Sequence, residues 1–278
     1  MLGKGSGKDH CSRISIAYTA YLLHCLRDPL SYYGKANGVY IDLLNLAVNA
    51  QQAQRVFFEP LKNLLLSSPF FNEVGFEPRV SEIFFFSRPV RCFSGHSESE
   101  GWEGYEVMTV VLDEISAFKI MNEVRGDTRA KGSADAIYNM SKLSVMSRFP
   151  EVGKVILLSF PRFKGDFIQQ RYDEVIASKT IVIRKYTMKI DHDLPDGTEG
   201  NEFEIQWEED HIISYMVPRV YALKRPTWEI NPTRSIEDFK IPFYKNAPDA
   251  LGRFACMPPE MVDAFFKSRE KIELAFKN

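Results

Sequence analysis

Six consecutive residues, Val107 to Leu112, are almost all apolar, and two carboxylates, Asp113 and Glu114, follow them directly. An apolar run this short is typical of a buried strand in a parallel sheet. Two acids at the carboxyl end of such a strand lose solvation energy unless a cation or a ligand lies beside them. The stretch therefore predicts an α/β fold with a ligand site at one sheet edge. A buried strand that ends in a solvated Asp-Glu turn is the alternative.

A glycine-rich segment, Gly3 to Asp9 (GKGSGKD), leads into a helical pattern near the start of the chain. Glycines let backbone N–H groups turn toward a phosphate, a helix N-terminus adds positive partial charge, and Lys8 can reach the outer phosphates. The usual pattern, GxxxxGK followed by Ser or Thr, is broken twice. Leu2 stands at the first glycine, and Asp9 stands at the hydroxyl residue. A flexible, tag-like N-terminus is the alternative interpretation.

A phosphate loop is held rigid because it connects a buried strand to a helix. This chain begins at Met1, directly before the loop. We therefore expect the first strand of the fold to be missing through truncation of the sequence at its N-terminus. A poorly anchored loop is the alternative.

The rest of the pattern alternates helices and strands. Gly38 to Leu46 and Val155 to Phe160 are apolar runs that predict further buried strands. Asn49 is a favourable N-cap for the helix that follows the first run, and Pro60 should kink that helix. Alternation in residues 179–190 and 203–207, separated by glycine turns, predicts a β-hairpin.

Composition excludes several classes of protein. The 278 residues carry a net charge of −2, so any contact with nucleic acid needs a local basic patch. The four cysteines contain no CxxC pair, which gives no zinc or disulfide framework and suits a reducing cytosol. The longest apolar segment, Ile14 to Leu26, is too short to span a bilayer, and no signal peptide is visible.

Taken together and in order, these motifs resemble the ATPase domain of the large terminase subunit of tailed phages and related viruses. The matching segments are GKGSGKD (3–9), IDLLNLAVNAQQAQRVFF (41–58), VMTVVLDEISAF (107–118), VILLSFPRFKGDFI (155–168), PTWEINPT (226–233) and RFACMPPEMVDAFF (253–266).

The resemblance implies an ATP site in the glycine-rich loop. Lys8 would bind the β- and γ-phosphates of ATP, and Asp9 would help to hold Mg²⁺. Gly5, Ser6 and Gly7 would supply backbone N–H groups to the phosphates. The second lysine of the loop, Lys4, completes the set of nucleotide-binding residues. The family often has an arginine where this chain has Lys4, so the resemblance does not carry over an arginine finger acting within the subunit.

The resemblance also assigns catalytic roles. Asp113 would hold Mg²⁺, and Glu114 would position the attacking water. Ser159, in the segment that resembles the family's coupling motif, would link the nucleotide state to movement. Arg125 or Arg129 is a candidate finger for a neighbouring subunit, and a solvated surface arginine is the simpler interpretation of either.

The implied fold is an α/β P-loop NTPase of the additional-strand catalytic-glutamate type, with a parallel sheet flanked by helices and a β-hairpin extension. We expect three parts: an ATPase core at 1–178, the rest of the sheet with the hairpin insertion at 179–246, and a linker or lid at 247–278. The family's nuclease domain should be absent, so no nuclease activity is expected.

The implied activity is an ATP-driven motor that packages double-stranded DNA into viral procapsids. Its cofactors would be ATP and Mg²⁺. Its partners would be DNA, the portal protein, the small terminase subunit and copies of itself in a ring, in the cytoplasm of the host cell and without a membrane. Two alternatives stay open: a helicase-like translocase of the same ATPase class, and a nucleotide-binding assembly module that does not hydrolyse ATP.

Overall fold

A computed structural model of the chain describes residues 1–96, 102, 104–118, 133–176, 182–190, 203–213 and 220–258. The chain forms two compact units. The first contains Leu2 and Lys4–Ser159, and the second contains Met1, Gly3 and Phe160–Asn278.

The first unit is built on a six-stranded sheet. Its strands are β1 (Ile41–Ala47), β2 (Phe76–Pro78), β3 (Glu82–Phe85), β4 (Val90–His96), β5 (Glu106–Asp113) and β6 (Lys154–Leu158). In space the order is β2-β3-β4-β1-β5-β6. The strands β4, β1, β5 and β6 are parallel, whereas β2 and β3 form an antiparallel edge. The predicted strands at 107–112 and 155–160 are thus confirmed as neighbours in a mainly parallel sheet, but β6 ends at Leu158 and is only partly buried.

Several helices of the same unit lie within the described residues. They are α1 (Lys8–Cys25), α2 (Pro29–Tyr32), α3 (Ala50–Gln52), α4 (Glu59–Leu66), α5 (Pro69–Val74) and α6 (Ala134–Arg148). A 3-10 turn at Ile115–Ala117 follows β5 directly. Within the described residues, no helix combines the length and the apolarity needed to cross a bilayer.

The central strands β1 and β5 form the middle of the core. Every residue of β1 is buried, and so is every residue of β5 after Glu106. Near-continuous apolar runs are expected where helices cover both faces of parallel strands. On one side, strand residues such as Leu43 and Val111 join α1 and α4 in one apolar cluster.

Helix α1 is the helix that the N-terminal pattern predicts. The apolar residues that form this pattern, at i, i+3 and i+4 spacing from Ile14, should pack on the core, but most of them face outward. Ile14 and Tyr18 are 46% and 56% exposed, and Leu22 is exposed as well. The inward face alternates apolar and small polar residues, namely Ser12, Ile16, Thr19, Ala20 and Leu23. Small side chains let the helix backbone lie close to the sheet, so apolar spacing alone selects the wrong face here.

The predicted helix after β1 begins as expected and then changes form. The Gln52 N–H donates to Asn49 Oδ1 at 2.9 Å, which confirms the N-cap. Instead of a kink at Pro60, a π-helical turn at Ala53–Phe58 leads into α4, whose first turn contains Pro60. Proline has no N–H to donate back along the helix, and its first-turn position needs none.

The second unit contains the predicted β-hairpin. Its elements are α7 (Phe167–Ile176), β7 (Val182–Ile190), β8 (Phe203–Ile213), β9 (Tyr221–Ala222), α8 (Thr227–Ile230), a 3-10 turn (Ile236–Phe239), α9 (Lys240–Lys245) and α10 (Ala247–Ala255). Strands β7, β8 and β9 pair in that order, and both pairings are antiparallel. The alternation at 203–207 lies in a longer strand, β8, which continues to Ile213.

The first three residues are extended and hydrogen-bonded. In the second unit, the Met1 amino group donates to the Leu223 carbonyl and Gly3 N–H donates to the Arg225 carbonyl at 3.2 Å. A Cβ atom at Gly3 would lie 2.3 Å from Thr227 Oγ1, so only glycine fits there. In the first unit, Leu2 N–H donates to the Ser159 carbonyl at 3.2 Å. The strand expected upstream of the loop stays a prediction.

A buried ion pair joins β1 to β4. Arg91 Nε donates to Asp42 Oδ1 at 2.6 Å, and the two residues are in register on the neighbouring strands. Burial raises the pKa of Asp42 to about 6, although the Arg91 guanidinium acts in the opposite direction. Arg91 also stacks against Tyr105, with its guanidinium 4.3 Å from the ring centroid.

We expect Arg91→Ala to lower the free energy of unfolding by about 3 kcal/mol, because it leaves the buried Asp42 carboxylate without its cation. Urea unfolding at neutral pH measures the loss. Arg79 is a matched control, since it also pairs with a carboxylate, Glu77, and stacks on a ring, but it is exposed. We expect Arg79→Ala to leave the urea midpoint unchanged. Equal losses in both variants would contradict the assigned importance of burial.

Candidate nucleotide-binding site

The glycine-rich loop adopts the backbone that its glycines permit. Gly5 and Gly7 have φ angles of 82° and 88°, in the left-handed region that side chains disfavour. Gly7 is the N-cap of α1, and no side chain caps the first turn of that helix. Ser6, between the two glycines, is buried, and its Oγ has no hydrogen-bond partner among the described residues. The loop therefore presents an uncapped helix N-terminus, which is a ready anion site.

The carboxylate pair lies where β5 ends. Asp113 is the last residue of β5, and Glu114 is the residue before the 3-10 turn. Glu114 has φ 53° and ψ 41°, a left-handed backbone that is uncommon for a residue with a side chain. Such a conformation is sparsely populated and tends to occur at functional sites.

The Lys8 ammonium joins the loop to the carboxylate pair. Its Nζ lies 2.8 Å from Glu114 Oε1, 2.8 Å from Asp9 Oδ1 and 3.9 Å from Asp113 Oδ1. Lys8 is only 6% exposed. Burial lowers the pKa of Lys8, but the charges of Glu114, Asp9 and Asp113 outweigh burial and raise it above its usual range. The convergence that the sequence predicts, of glycine loop and acid pair, is present.

Asp113 is the most strongly perturbed acid of the group. It is 1% exposed, and its Oδ1 has no hydrogen-bond partner among the described residues. Burial, together with the charges of Asp9 and Glu114, raises the pKa of Asp113 from 3.8 to about 7, although the Lys8 charge acts in the opposite direction. A buried carboxylate oxygen without a donor is suited to a cation or to water bound to one.

The donors present fit Mg²⁺ better than a metal held in an all-protein cage. Within the described residues, no group of three or more His, Cys, Asp or Glu side chains could hold a metal ion. Mg²⁺ commonly binds one or two carboxylates and takes its other ligands from phosphate and water. Asp113 and Asp9, both beside Lys8, supply oxygen donors of that kind.

Ser159 lies next to the turn that follows Glu114. It comes directly after β6, is buried, and accepts a hydrogen bond at its Oγ from the Ser116 N–H at 3.4 Å. The end of β6 is thus tied to the turn at the end of β5. Lys4 is exposed at the rim of the loop. Arg125 and Arg129 fall in 119–132, outside the described residues.

The structure adds a residue that the sequence analysis passed over. Asn45, on the buried strand β1, is 1% exposed, and neither its Oδ1 nor its Nδ2 has a hydrogen-bond partner among the described residues. It is in register with Val111, two residues before Asp113. The sequence offered one indication of this residue, a single amide among the apolar residues near the carboxyl end of β1.

Comparison with known proteins identifies a P-loop domain. The family model described as "Uncharacterized protein MJ0330, N-terminal P-loop domain" matches residues 1–256. Uncharacterized protein MJ0330 of Methanocaldococcus jannaschii is 26% identical over 289 residues, an alignment that covers 100% of this chain and 43% of that protein. The chain thus spans less than half the length of this relative. The family description and the sheet confirm the predicted α/β P-loop fold.

Two solved structures are similar to the chain. The large terminase of bacteriophage HK97 has a TM-score of 0.48 and 14% identity, with 92% of this chain and 45% of that chain covered. The large terminase of a thermophilic bacteriophage has a TM-score of 0.36 and 12% identity, with 54% of this chain and 34% of that chain covered. Both belong to the family that the sequence motifs resemble.

We expect Asp113→Asn to stabilise the metal-free protein at pH 8. The folded state holds a proton on Asp113 up to pH of about 7, whereas the unfolded chain loses it near 3.8. This group's contribution to stability is therefore full below pH 4 and is lost as pH rises to 7. Between pH 5 and pH 8, urea unfolding should show wild type losing about 2 kcal/mol relative to Asp113→Asn.

The exposed carboxylate of Asp249 provides the control for this measurement. The difference between wild type and Asp249→Asn should not change between pH 5 and pH 8. A difference between wild type and Asp113→Asn that is also constant across this range would contradict the raised pKa.

Proposed function

Since the chain belongs to the family of N-terminal P-loop domains described from protein MJ0330, we propose that it is a Mg²⁺-dependent ATPase. We propose further that it is the motor domain of a large terminase, which drives double-stranded DNA into viral procapsids. The observation that carries the ATPase is the position of Lys8 Nζ, 2.8 Å from Glu114 and 3.9 Å from Asp113. The packaging role is supported by the order of the sequence motifs.

Nucleotide binding is proposed to replace the carboxylates that contact the Lys8 ammonium by the phosphates of ATP. Without a ligand, the Lys8 ammonium is matched by Glu114 and Asp9. The β- and γ-phosphates of ATP carry more negative charge than these two carboxylates. They would bind at the uncapped N-terminus of α1, where Gly5, Ser6 and Gly7 lie. Lys8 then turns to the phosphates, and the Glu114 carboxylate is released to orient a water molecule.

The acids at the end of β5 are proposed to divide the work. Asp113 and Asp9 would hold Mg²⁺, which supplies positive charge to the β- and γ-phosphate oxygens when it is bound. Because the pKa of Asp113 is about 7, its proton must leave before the carboxylate can act as a ligand. Glu114 is then the acid of this group that is left to position or deprotonate water.

Ser159 is proposed to couple the site to movement. Its Oγ accepts from Ser116 N–H, two residues after Glu114, so a shift of the Glu114 backbone changes this contact. Glu114 has a left-handed backbone, and a 3-10 turn follows it directly. A backbone shift would therefore be confined to the short segment from Glu114 to Ala117. Ser159 follows β6 directly, which gives the movement a rigid element to act on.

The larger assembly is proposed from the resemblance. A packaging motor would act as a homo-oligomeric ring with the portal protein and the small terminase subunit, in the host cytoplasm. An arginine from a neighbouring subunit, Arg125 or Arg129, would complete its site. The parts at 1–178, 179–246 and 247–278 remain the proposed organisation, and no nuclease activity is proposed for them.

A second function is favoured by one observation. Asp9 replaces the usual hydroxyl residue and takes a share of the Lys8 charge, at 2.8 Å. A carboxylate at this place repels phosphate as well as attracting Mg²⁺. A module that binds nucleotide without hydrolysing it, for assembly alone, is therefore the competing proposal.

Hydrolysis of ATP by the full chain separates the two functions. We expect phosphate release that requires Mg²⁺ and that double-stranded DNA increases. Nucleotide binding without phosphate release, with or without DNA, would favour the assembly module. Absence of nucleotide binding would overturn both proposals.

We expect Glu114→Gln to keep nucleotide affinity and to lower turnover by about 10²- to 10⁴-fold, because the amide cannot take a proton from water. Steady-state phosphate release and calorimetric titration with a non-hydrolysable ATP analogue measure the two effects. Glu77→Gln, at an exposed carboxylate on the edge strand β2, should turn over like wild type. Turnover near the wild-type rate in Glu114→Gln would overturn the role given to Glu114.

We expect Lys8→Ala to weaken binding of ATP by at least about tenfold, since the phosphates lose their buried cation. The same titration measures this loss. Lys62, which pairs with Glu59 in α4, provides the control. An unchanged affinity in Lys8→Ala, equal to that of Lys62→Ala, would count against the phosphate site.

A further inference from the structure

We propose that Asn45 is a positioning residue for the metal: its side-chain amide holds a water molecule of the Mg²⁺ ion that Asp113 binds. This inference rests on the proposed ATPase function. It extends the site from the ends of β5 and β6 to the neighbouring strand β1. It assigns a role to a residue that lies outside both the glycine loop and the acid pair.

The burial of Asn45 calls for a partner. The side chain is 1% exposed, and both polar atoms of its amide lack a hydrogen bond within the described part of the chain. Buried amides in folded proteins are nearly always paired, because an unpaired donor or acceptor keeps its full desolvation cost. The neighbour in register on β4, Ser94, does not supply the bond, since its own Oγ also lacks a partner among the described residues.

The sheet register places Asn45 and Asp113 on the same face. Asn45 is in register with Val111 on β5. Side chains alternate along a strand, so Val111 and Asp113 point to one side, and Asn45 points to that side too. One strand spacing across and two residues along put the Cα atoms of Asn45 and Asp113 about 8 Å apart. The two side chains can therefore share one bridging water.

Asp113 provides the carboxylate oxygen that would bind the metal. Its Oδ1 is also buried and has no hydrogen bond from the described residues. A Mg²⁺ ion bound to one or two carboxylates keeps several water molecules, and the hydrogen atoms of each water need an acceptor nearby. The Asn45 carbonyl accepts from such a water, and partners of this kind orient the ligands of a metal.

The test compares Asn45→Leu with Thr109→Val, both nearly isosteric replacements of buried polar groups. Thr109 lies on β5, on the same face as Asp113, and its Oγ1 also lacks a partner within the described ranges. It is four residues before Asp113, about 13 Å away, which is too far for one bridging water. The two variants therefore differ in their distance from the metal and share the loss of an unpaired polar group.

The measured quantity is the Mg²⁺ dependence of ADP affinity, titrated with the full chain at fixed ADP. We expect Asn45→Leu to weaken the apparent Mg²⁺ affinity by about 10- to 100-fold and to leave ADP binding in EDTA unchanged. Thr109→Val should match wild type in both. Urea unfolding without Mg²⁺ should show both variants at least as stable as wild type, because each removes an unpaired buried group.

Two outcomes overturn the inference while the proposed function stands. These are an unchanged Mg²⁺ affinity in Asn45→Leu, and an equal loss in Thr109→Val. If Asn45→Leu does not fold, Asn45→Ala replaces it in the same titration, with the same two outcomes decisive. A wild-type chain whose ADP affinity does not respond to Mg²⁺ overturns the proposed function, and the inference falls with it.

Discussion

The ammonium group of Lys8 is the interaction on which the site depends. It lies among three carboxylates, those of Asp9, Asp113 and Glu114. These four groups together are negative by two charges when all three acids are ionised, in a place where little water can screen them. Burial is the main cause of the raised pKa of Asp113, and the charges of Asp9 and Glu114 add to it. A divalent cation brings the charge that this arrangement lacks, and an anionic phosphate without one does not.

The sheet decides which groups can meet at this point. Because β1, β5 and β6 are parallel neighbours, their carboxyl ends lie along one edge, where Asp113 and Ser159 also lie. Glycines at positions 5 and 7 let the loop before α1 bring Lys8 to that edge. The Asp42–Arg91 pair fixes β1 against β4 at the other end of the strand. The register of β1 with β5, which shifts between Asp42 and Leu43, places Asn45 opposite Val111, two residues before Asp113.

The sequence predicts the elements that depend on composition and period. The apolar run before Asp113, the strand before Ser159, the Asn49 cap and the hairpin are all present, because burial and turn chemistry act locally. The approach of Lys8 to Glu114 followed from the glycine-rich loop and the acid pair together with the family resemblance. These features depend on the local sequence and can be predicted without knowledge of the tertiary contacts.

Features that depend on tertiary packing were not predictable. The sheet accepts α1 on its small-residue face, so Ile14 and Tyr18 remain outside. The π-helical turn before Pro60 arises from the way one helix fits against the core. The amide of Asn45 can be read from the sequence, but its nearness to Asp113 becomes visible only when the register with β5 is known. In each case the competing influence is a contact between residues far apart in the chain.

The backbone of Glu114 has a consequence for how such a site changes over time. Its left-handed conformation favours glycine or asparagine, so selection for stability alone opposes glutamate at this position. If the proposed function holds, the need for the carboxylate outweighs this cost. In a related chain that does not hydrolyse nucleotide, we would then expect glycine or asparagine at the position of Glu114. The identity of this residue would distinguish hydrolysing from non-hydrolysing relatives.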